Sequence, residues 1–176
     1  GTGADGLRTN DQLDMFNGAT DRYTWKLVGK REMIVPYNAV KLADSRLKYQ
    51  DIAKAGHINQ DLARYELHRV WVVEAELKPG TSHLYKRRTF FIDEDSWTIV
   101  AADNYDKRDQ LWRVQEYHQL AIPWRTRVAP AGATVYDLQS NRYLIQELSN
   151  EEPMFTDTDF SVDHFSTGSV QRMAQK

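Results

Sequence analysis

Five histidines, one acidic turn and one short basic run are the residues whose types could do chemistry in this chain. The histidines are His57, His68, His83, His118 and His164. An imidazole serves as a metal ligand or as a general acid or base. None of the five sits in a compact ligand spacing such as H-E-x-x-H or H-x-H. His68 and His118 fall on separate strand segments and could approach across a sheet, in a register the sequence does not set. The chain contains no cysteine, which removes disulfides, thiol nucleophiles and Cys-based metal sites. Asp93, Glu94 and Asp95 make an acidic turn. A calcium loop spreads its oxygen ligands over a longer stretch containing a glycine. Asp and Ser in so short a turn bond their own backbone instead, and residues 105–109 read the same way. Lys86, Arg87 and Arg88 alternate between the two faces of a strand, so they form no single basic patch. No G-x-S-x-G, S-x-x-K or glycine-rich phosphate loop occurs. The expectation is therefore no catalytic residue, no metal and no cofactor.

The remaining candidates are aromatic. Trp71, Tyr85, Phe91, Trp97, Trp112 and Tyr117 recur on successive strand segments. They read either as ordinary core, since aromatics dominate core burial, or as the wall of a concave apolar ligand site. Four runs rich in aromatic and β-branched residues must position them: YELHRVWVVEAEL, HLYKRRTFFID, WTIVAADNYD and LWRVQEYHQLAI, separated by KPGTS, EDS and KRDQ. Turn signals at this spacing predict an antiparallel meander over about 65–77, 84–93, 97–105 and 110–120. In the first run Leu67, Arg69, Trp71, Val73 and Ala75 face one way, and His68, Val70, Val72 and Glu74 the other. In the second, Tyr85, Thr89 and Phe91 oppose Phe90 and Ile92. Both faces are apolar at their centres, so both should be covered.

The flanks are less regular. Residues 10–17 suit one helical turn capped by Asn10 or Asp11, with Leu13 and Phe16 on one side. Tyr23, Trp25 and Leu27 alternate as in a strand. Gly29 and Lys30 predict a tight turn with a return strand from Arg31 to Val35, which Pro36 stops. Residues 38–62 read as a long ordered loop with one short helix, a lid or packed connection. Residues 122–133 read as a Pro/Gly-punctuated connection. TVYDLQ and RYLIQEL predict a hairpin turning near Ser140 and Asn141. After Ser149 the chain turns acidic, and a short helix should start at Ser166.

The chain has 176 residues with 23 basic and 25 acidic side chains, a net charge of −2. That balance argues against nucleic acid as a partner. No apolar run approaches the ~20 residues of a membrane helix.

The blocks WKLVGKREMIVPYN, YELHRVWVVEAELKPG, FFIDEDSWTIVAADNYD and LWRV resemble the C-terminal part of a large bacterial family, domain of unknown function 1329. The resemblance runs from about Asp5 to about Ser149 and continues more loosely beyond. That family is grouped with the lipoprotein carriers LolA and LolB, whose unclosed antiparallel β half-barrel wraps around helices and holds a greasy cavity. The resemblance implies a mainly β fold with few short helices. It implies that residues 1–176 are one domain, the C-terminal fragment of a longer protein of the periplasm or outer membrane, with an export signal upstream and part of the half-barrel outside this chain. It supplies no catalytic residues. The expected function is non-catalytic: binding or carrying a lipid, a lipoprotein acyl chain or another hydrophobic molecule on one sheet face, lined by some of these six aromatics. The alternative is an adaptor module in an envelope complex, acting through sheet edges. Open edges also predict self-association.

Overall fold

Strands dominate because β-branched and aromatic residues recur at alternate positions over long runs. The structure, a computed structural model, describes residues 2–152 and 160–174. Most of the acidic stretch after Ser149 lies outside the described residues. A two-stranded ladder, β1 (Thr2–Gly3) and β2 (Arg8–Thr9), precedes one seven-stranded antiparallel sheet. Its strands are β3 (Tyr23–Pro36), β4 (Tyr65–Leu77), β5 (Arg87–Asp93), β6 (Ile99–Tyr105), β7 (Leu111–Ile122), β8 (Arg127–Asp137) and β9 (Arg142–Gln146). Each strand pairs with the next in sequence, so the sheet is open, with β3 and β9 as its edges. The meander falls where the turn signals place it, since its connections are too short for parallel crossovers.

Two expectations are corrected. Gly29 makes a bulge and not a turn: β3 is one 14-residue strand paired along its whole length with β4. Leu27 lies opposite Val73 and Gly29 opposite Val72, which leaves Val28 as the extra residue. Gly29 takes φ +140°, a conformation side chains disfavour. A 13-residue partner strand outweighs the local turn signal. Residues 122–133 are likewise mostly strand. A 3₁₀ turn at Pro123–Arg125 closes a hairpin, and β8 starts at Arg127. Pro130 sits opposite Gln119, outside the Ala133–Asp137 stretch that pairs with β9. Its missing amide hydrogen therefore costs no ladder bond to β9. The hairpin around Ser140 and Asn141 is present, with Asn141 at φ +53°.

The sheet curls. Beyond β3, the Ala39 amide donates to the Gln119 carbonyl of β7 at 3.0 Å. Met33 of β3 packs in the same cluster as Ala121 and Val128 of β7 and β8. Inside the curl lie Val35, Tyr37, Val70, Val72, Phe91, Val100 and Ala101. Residues 38–62 cover the β8–β9 side of this inner face, with Ala39, Leu42 and Ile52 against Ala131, Ile145 and Leu148. The loop contains one short helix, α1 (Tyr49–Ile52), as expected. The Tyr143 hydroxyl of β9 pins it by accepting from the Lys54 amide at 3.0 Å and donating to the Lys54 carbonyl at 2.8 Å.

The N-terminal segment covers part of the outer face, where Met15 packs with Tyr23, Ala75, Phe90 and Ala102. Its helical turn is a 3₁₀ turn at Asn10–Gln12. The residue that opens it is Thr9, and not Asn10 or Asp11: the Thr9 amide donates to Gln12 Oε1 at 2.7 Å. Phe16 packs against the cluster while Leu13 stays exposed. The last element is α2 (Thr167–Ala174), where Ser166 Oγ accepts from the Ser169 amide at 3.2 Å.

Candidate functional site

Strand parity separates the six aromatics. Trp71 lies opposite Ile92, and Val72 opposite Phe91, so Trp71 and Phe91 point to different faces. Phe91 is in the inner core. Trp71 and Tyr117 are half-buried on the outer side, with Lys30 Nζ 4.4 Å from the Trp71 ring. Tyr85 and Trp112 come together edge-on with ring centroids 5.7 Å apart. Trp97 stands in the β5–β6 turn, 70% exposed, at φ +58°. The six do not share one face.

Tyr85 belongs to a buried polar network that clamps the N-terminal segment to the outer face. Its hydroxyl donates to Gln12 Oε1 and accepts from Arg113 Nη1, both at 3.0 Å. Arg113 Nε reaches Asp137 at 2.9 Å, and Trp112 Nε1 donates to the same carboxylate at 3.0 Å. Gln12 Nε2 donates to Gln115 at 2.8 Å. Arg88 is fully buried, held by Asp11 at 3.0 Å and surrounded by the rings of Phe16, Tyr23 and Tyr85. Burial alone would raise the Asp11 carboxyl. The hydrogen bond from His83 and the charge of Arg88 outweigh it and hold that carboxyl far below the usual range. Burial also pushes the Tyr85 hydroxyl up. Arg87 leaves for the other side to pair with Asp109 at 2.9 Å, so the basic run forms no patch.

The curled end of the sheet carries an open space with apolar walls. A cavity of about 440 Å³ has walls of Tyr37, Ala121, Ile122, Pro123 and Val128. Its rim is Asp95, Ser96, Thr126 and Arg127. Three of the wall residues also belong to, or pack against, the inner cluster that holds Phe91. Beside the rim, His68 Nδ1 is 2.7 Å from Asp93 Oδ1 and His68 Nε2 is 3.1 Å from Glu66 Oε2. The Tyr37 ring lies over the imidazole at 4.1 Å. Burial, and then the Asp93 charge, raise the Tyr37 hydroxyl. Asp93 Oδ2 accepts from the Ser96 amide at 2.8 Å and from Ser96 Oγ at 2.7 Å, the turn chemistry expected of it. Ser96 Oγ also meets Thr98 Oγ1, which donates to Gln119 at 2.7 Å.

The pairing of His68 with Asp93 has no signature in sequence spacing. It follows from the β4–β5 register, in which Val70 faces Asp93. His118 goes elsewhere, buried under the Tyr65 ring and 3.6 Å from Glu116. His57 bonds the Ile58 carbonyl, His83 meets Asp11, and His164 stacks on Phe160. No described helix is long and apolar enough to cross a membrane.

A family profile described as "Protein of unknown function (DUF1329)" matches residues 1–171. An uncharacterized protein of Pseudomonas aeruginosa is 54% identical over 166 residues, covering 92% of this chain and 35% of that protein. Two solved structures are similar in fold. One is a DUF1329 family protein from Desulfovibrio piger, with TM-score 0.46 and 15% identity, covering 95% of this chain and 52% of the other. The second is described as an outer membrane lipoprotein-sorting protein domain from Vibrio parahaemolyticus, with TM-score 0.44 and 11% identity, covering 91% and 53%. The chain thus spans about a third of the curated relative and about half of each solved chain.

Proposed function

We propose that this chain, which belongs to the DUF1329 family, is a non-catalytic binding or carrier module of the cell envelope for a lipid, an acyl chain or another hydrophobic molecule. The cavity at the curled end carries the reading. Five apolar or aromatic wall residues lie under a rim of two polar and two charged side chains, the composition of a site for a molecule with an apolar body and a polar end. Its volume of about 440 Å³ lies in the usual range for ligand pockets. Each methylene transferred there from water contributes about 0.8 kcal/mol. Of the six sequence-predicted aromatics, Phe91 backs this site through the inner core, and Trp97 follows Ser96 of the rim.

Titration with an environment-sensitive fluorescent fatty acid tests the proposal. Saturable binding at micromolar levels, displaced by unlabelled lipid, is expected. Absence of saturable binding to both this chain and the full-length protein would sink it.

A second reading, an adaptor that docks through its sheet, has its own observation. Leu27, Ile34 and Leu67 are exposed at the β3 side of the outer face, with Ile34 directly opposite Leu67. Trp71 and Tyr117 serve this reading. A stable complex with an envelope protein, formed while the cavity stays empty, would favour it.

A further inference from the structure

We infer that His68, Asp93 and Asp95 form a binding site for a divalent first-row transition-metal ion at the curled end of the sheet. The Nδ1 atom of His68 and one carboxylate oxygen from each Asp lie within 4.8 Å of one another. Ligand atoms about 2.0–2.2 Å from a shared ion stand roughly 3.0–3.5 Å apart. The observed separations from His68 Nδ1, 2.7 Å to Asp93 and 3.8 Å to Asp95, bracket that range. Closing the set, whose atoms lie within 4.8 Å of one another, onto an ion falls to the exposed Asp95 carboxylate.

Charge supplies the independent reason. The Asp93 side chain is 0% exposed, and buried carboxylates are ordinarily paired with a cation or bound to a metal. Among the described residues neither Asp93 nor Asp95 has a Lys or Arg partner. Two cations beside the turn are engaged by its third acid: Glu94 takes Lys30 and Arg69, each at 2.6 Å. Among the described residues, His68 is the one basic side chain that pairs with Asp93 and Asp95, and Glu66 shares it.

The surroundings hold two of the three ligands in place. Glu66 sits on the far nitrogen of His68, the partner that metal-bound histidines ordinarily keep, and leaves Nδ1 to face the carboxylates. Glu66 is itself fixed by Asn38 Nδ2 at 2.9 Å and by Arg64. The Ser96 amide and hydroxyl occupy Asp93 Oδ2, which turns Oδ1 towards His68. Asp95, with its side chain 74% exposed, is the ligand free to close onto an ion. Binding the ion requires Nδ1 without a proton, and any proton it carries leaves to solvent. One imidazole with two carboxylates suits zinc, cobalt, nickel or manganese. Calcium and magnesium favour all-oxygen ligand sets. Three protein ligands leave a coordination position open. The site adjoins the carrier cavity through Asp95 of its rim, while His68 and Asp93 do not line it.

Isothermal titration of the chain with zinc, manganese and calcium ions tests it. The expected result is one zinc per chain, with proton release and with calcium binding far weaker. Asp95→Asn, on an exposed turn, should keep the fold and weaken zinc binding at least tenfold, and Glu66→Gln should weaken it about 10–100-fold. His68→Gln should abolish it. No saturable zinc uptake, or uptake that Asp95→Asn and His68→Gln both leave unchanged, overturns the site.

Discussion

Asp11 ties the N-terminal segment to the sheet through Arg88 and His83, and its ionisation makes that tie pH-dependent. Its folded-state pKa is depressed below the ordinary 3.8. A carboxyl depressed in the folded state contributes stability above its unfolded pKa and loses it as pH falls towards the folded value. The contribution should therefore be constant near neutrality and fade once pH drops below about 4. In denaturant melts repeated from pH 6 down to pH 2, the wild type should lose more stability than Asp11→Asn. Parallel losses would remove Asp11 from the clamp. At this scale the sequence is legible where chemistry is local. Asp93 bonding Ser96 across three residues follows from turn chemistry alone. Asp93 meeting His68, or Arg88 meeting Asp11, depends on register and on where the first residues fold back. No spacing encodes either.

Elements were legible in proportion to how plainly their ends are marked. The strands β4 to β7 are bounded by short polar turns, and their two faces sort as the alternation predicts, with Val70 and Val72 in the inner cluster and Val73 and Ala75 in the outer one. Gly29 misled because a glycine marks a turn and a bulge alike, and only the length of the partner strand decides. Adding a Cβ at Gly29 meets nothing within 4 Å, so any cost is backbone strain at φ +140° and not a clash. Gly29→Ala should destabilise by more than about 1 kcal/mol in chemical denaturation, and a neutral result would mean that the bulge relaxes. The same strand bears on self-association. As an edge it offers unpaired backbone, yet it carries Lys26, Lys30 and Arg31 beside its bulge, devices that discourage edge pairing. Salt screens such charges, with a Debye length near 10 Å at 0.1 M. Sedimentation velocity should show association through this edge rising with salt. Association independent of salt would place the contact elsewhere.

At the scale of the whole molecule, the curl decides what the apolar faces do, and it is invisible in any one strand. The alternation shows that both faces need cover. It does not show that residues 38–62 fold over the β7–β9 side of the inner face, that residues 7–18 cover part of the outer one, or that the curled end keeps an open cavity between the β5–β6 turn and the β7–β8 hairpin. The six candidate aromatics divide between the faces, Phe91 inside and Trp71 outside, because recurrence on successive strands says nothing about parity across a register. This makes the carrier and adaptor readings separable by position. Ala121 lines the cavity, so Ala121→Trp should fill it and cut fluorescent fatty-acid binding at least tenfold. Trp71 lies on the other face, so Trp71→Ala should leave the dissociation constant nearly unchanged, although truncating a half-buried aromatic lowers stability by up to about 3–5 kcal/mol. Melts of both variants, run beside the titrations, separate lost binding from lost fold. Should Trp71→Ala instead abolish binding in a folded protein while Ala121→Trp does nothing, the ligand belongs to the outer face. The exposed row of Leu27, Ile34 and Leu67 would then be part of its site, and the curled-end cavity would be a packing defect.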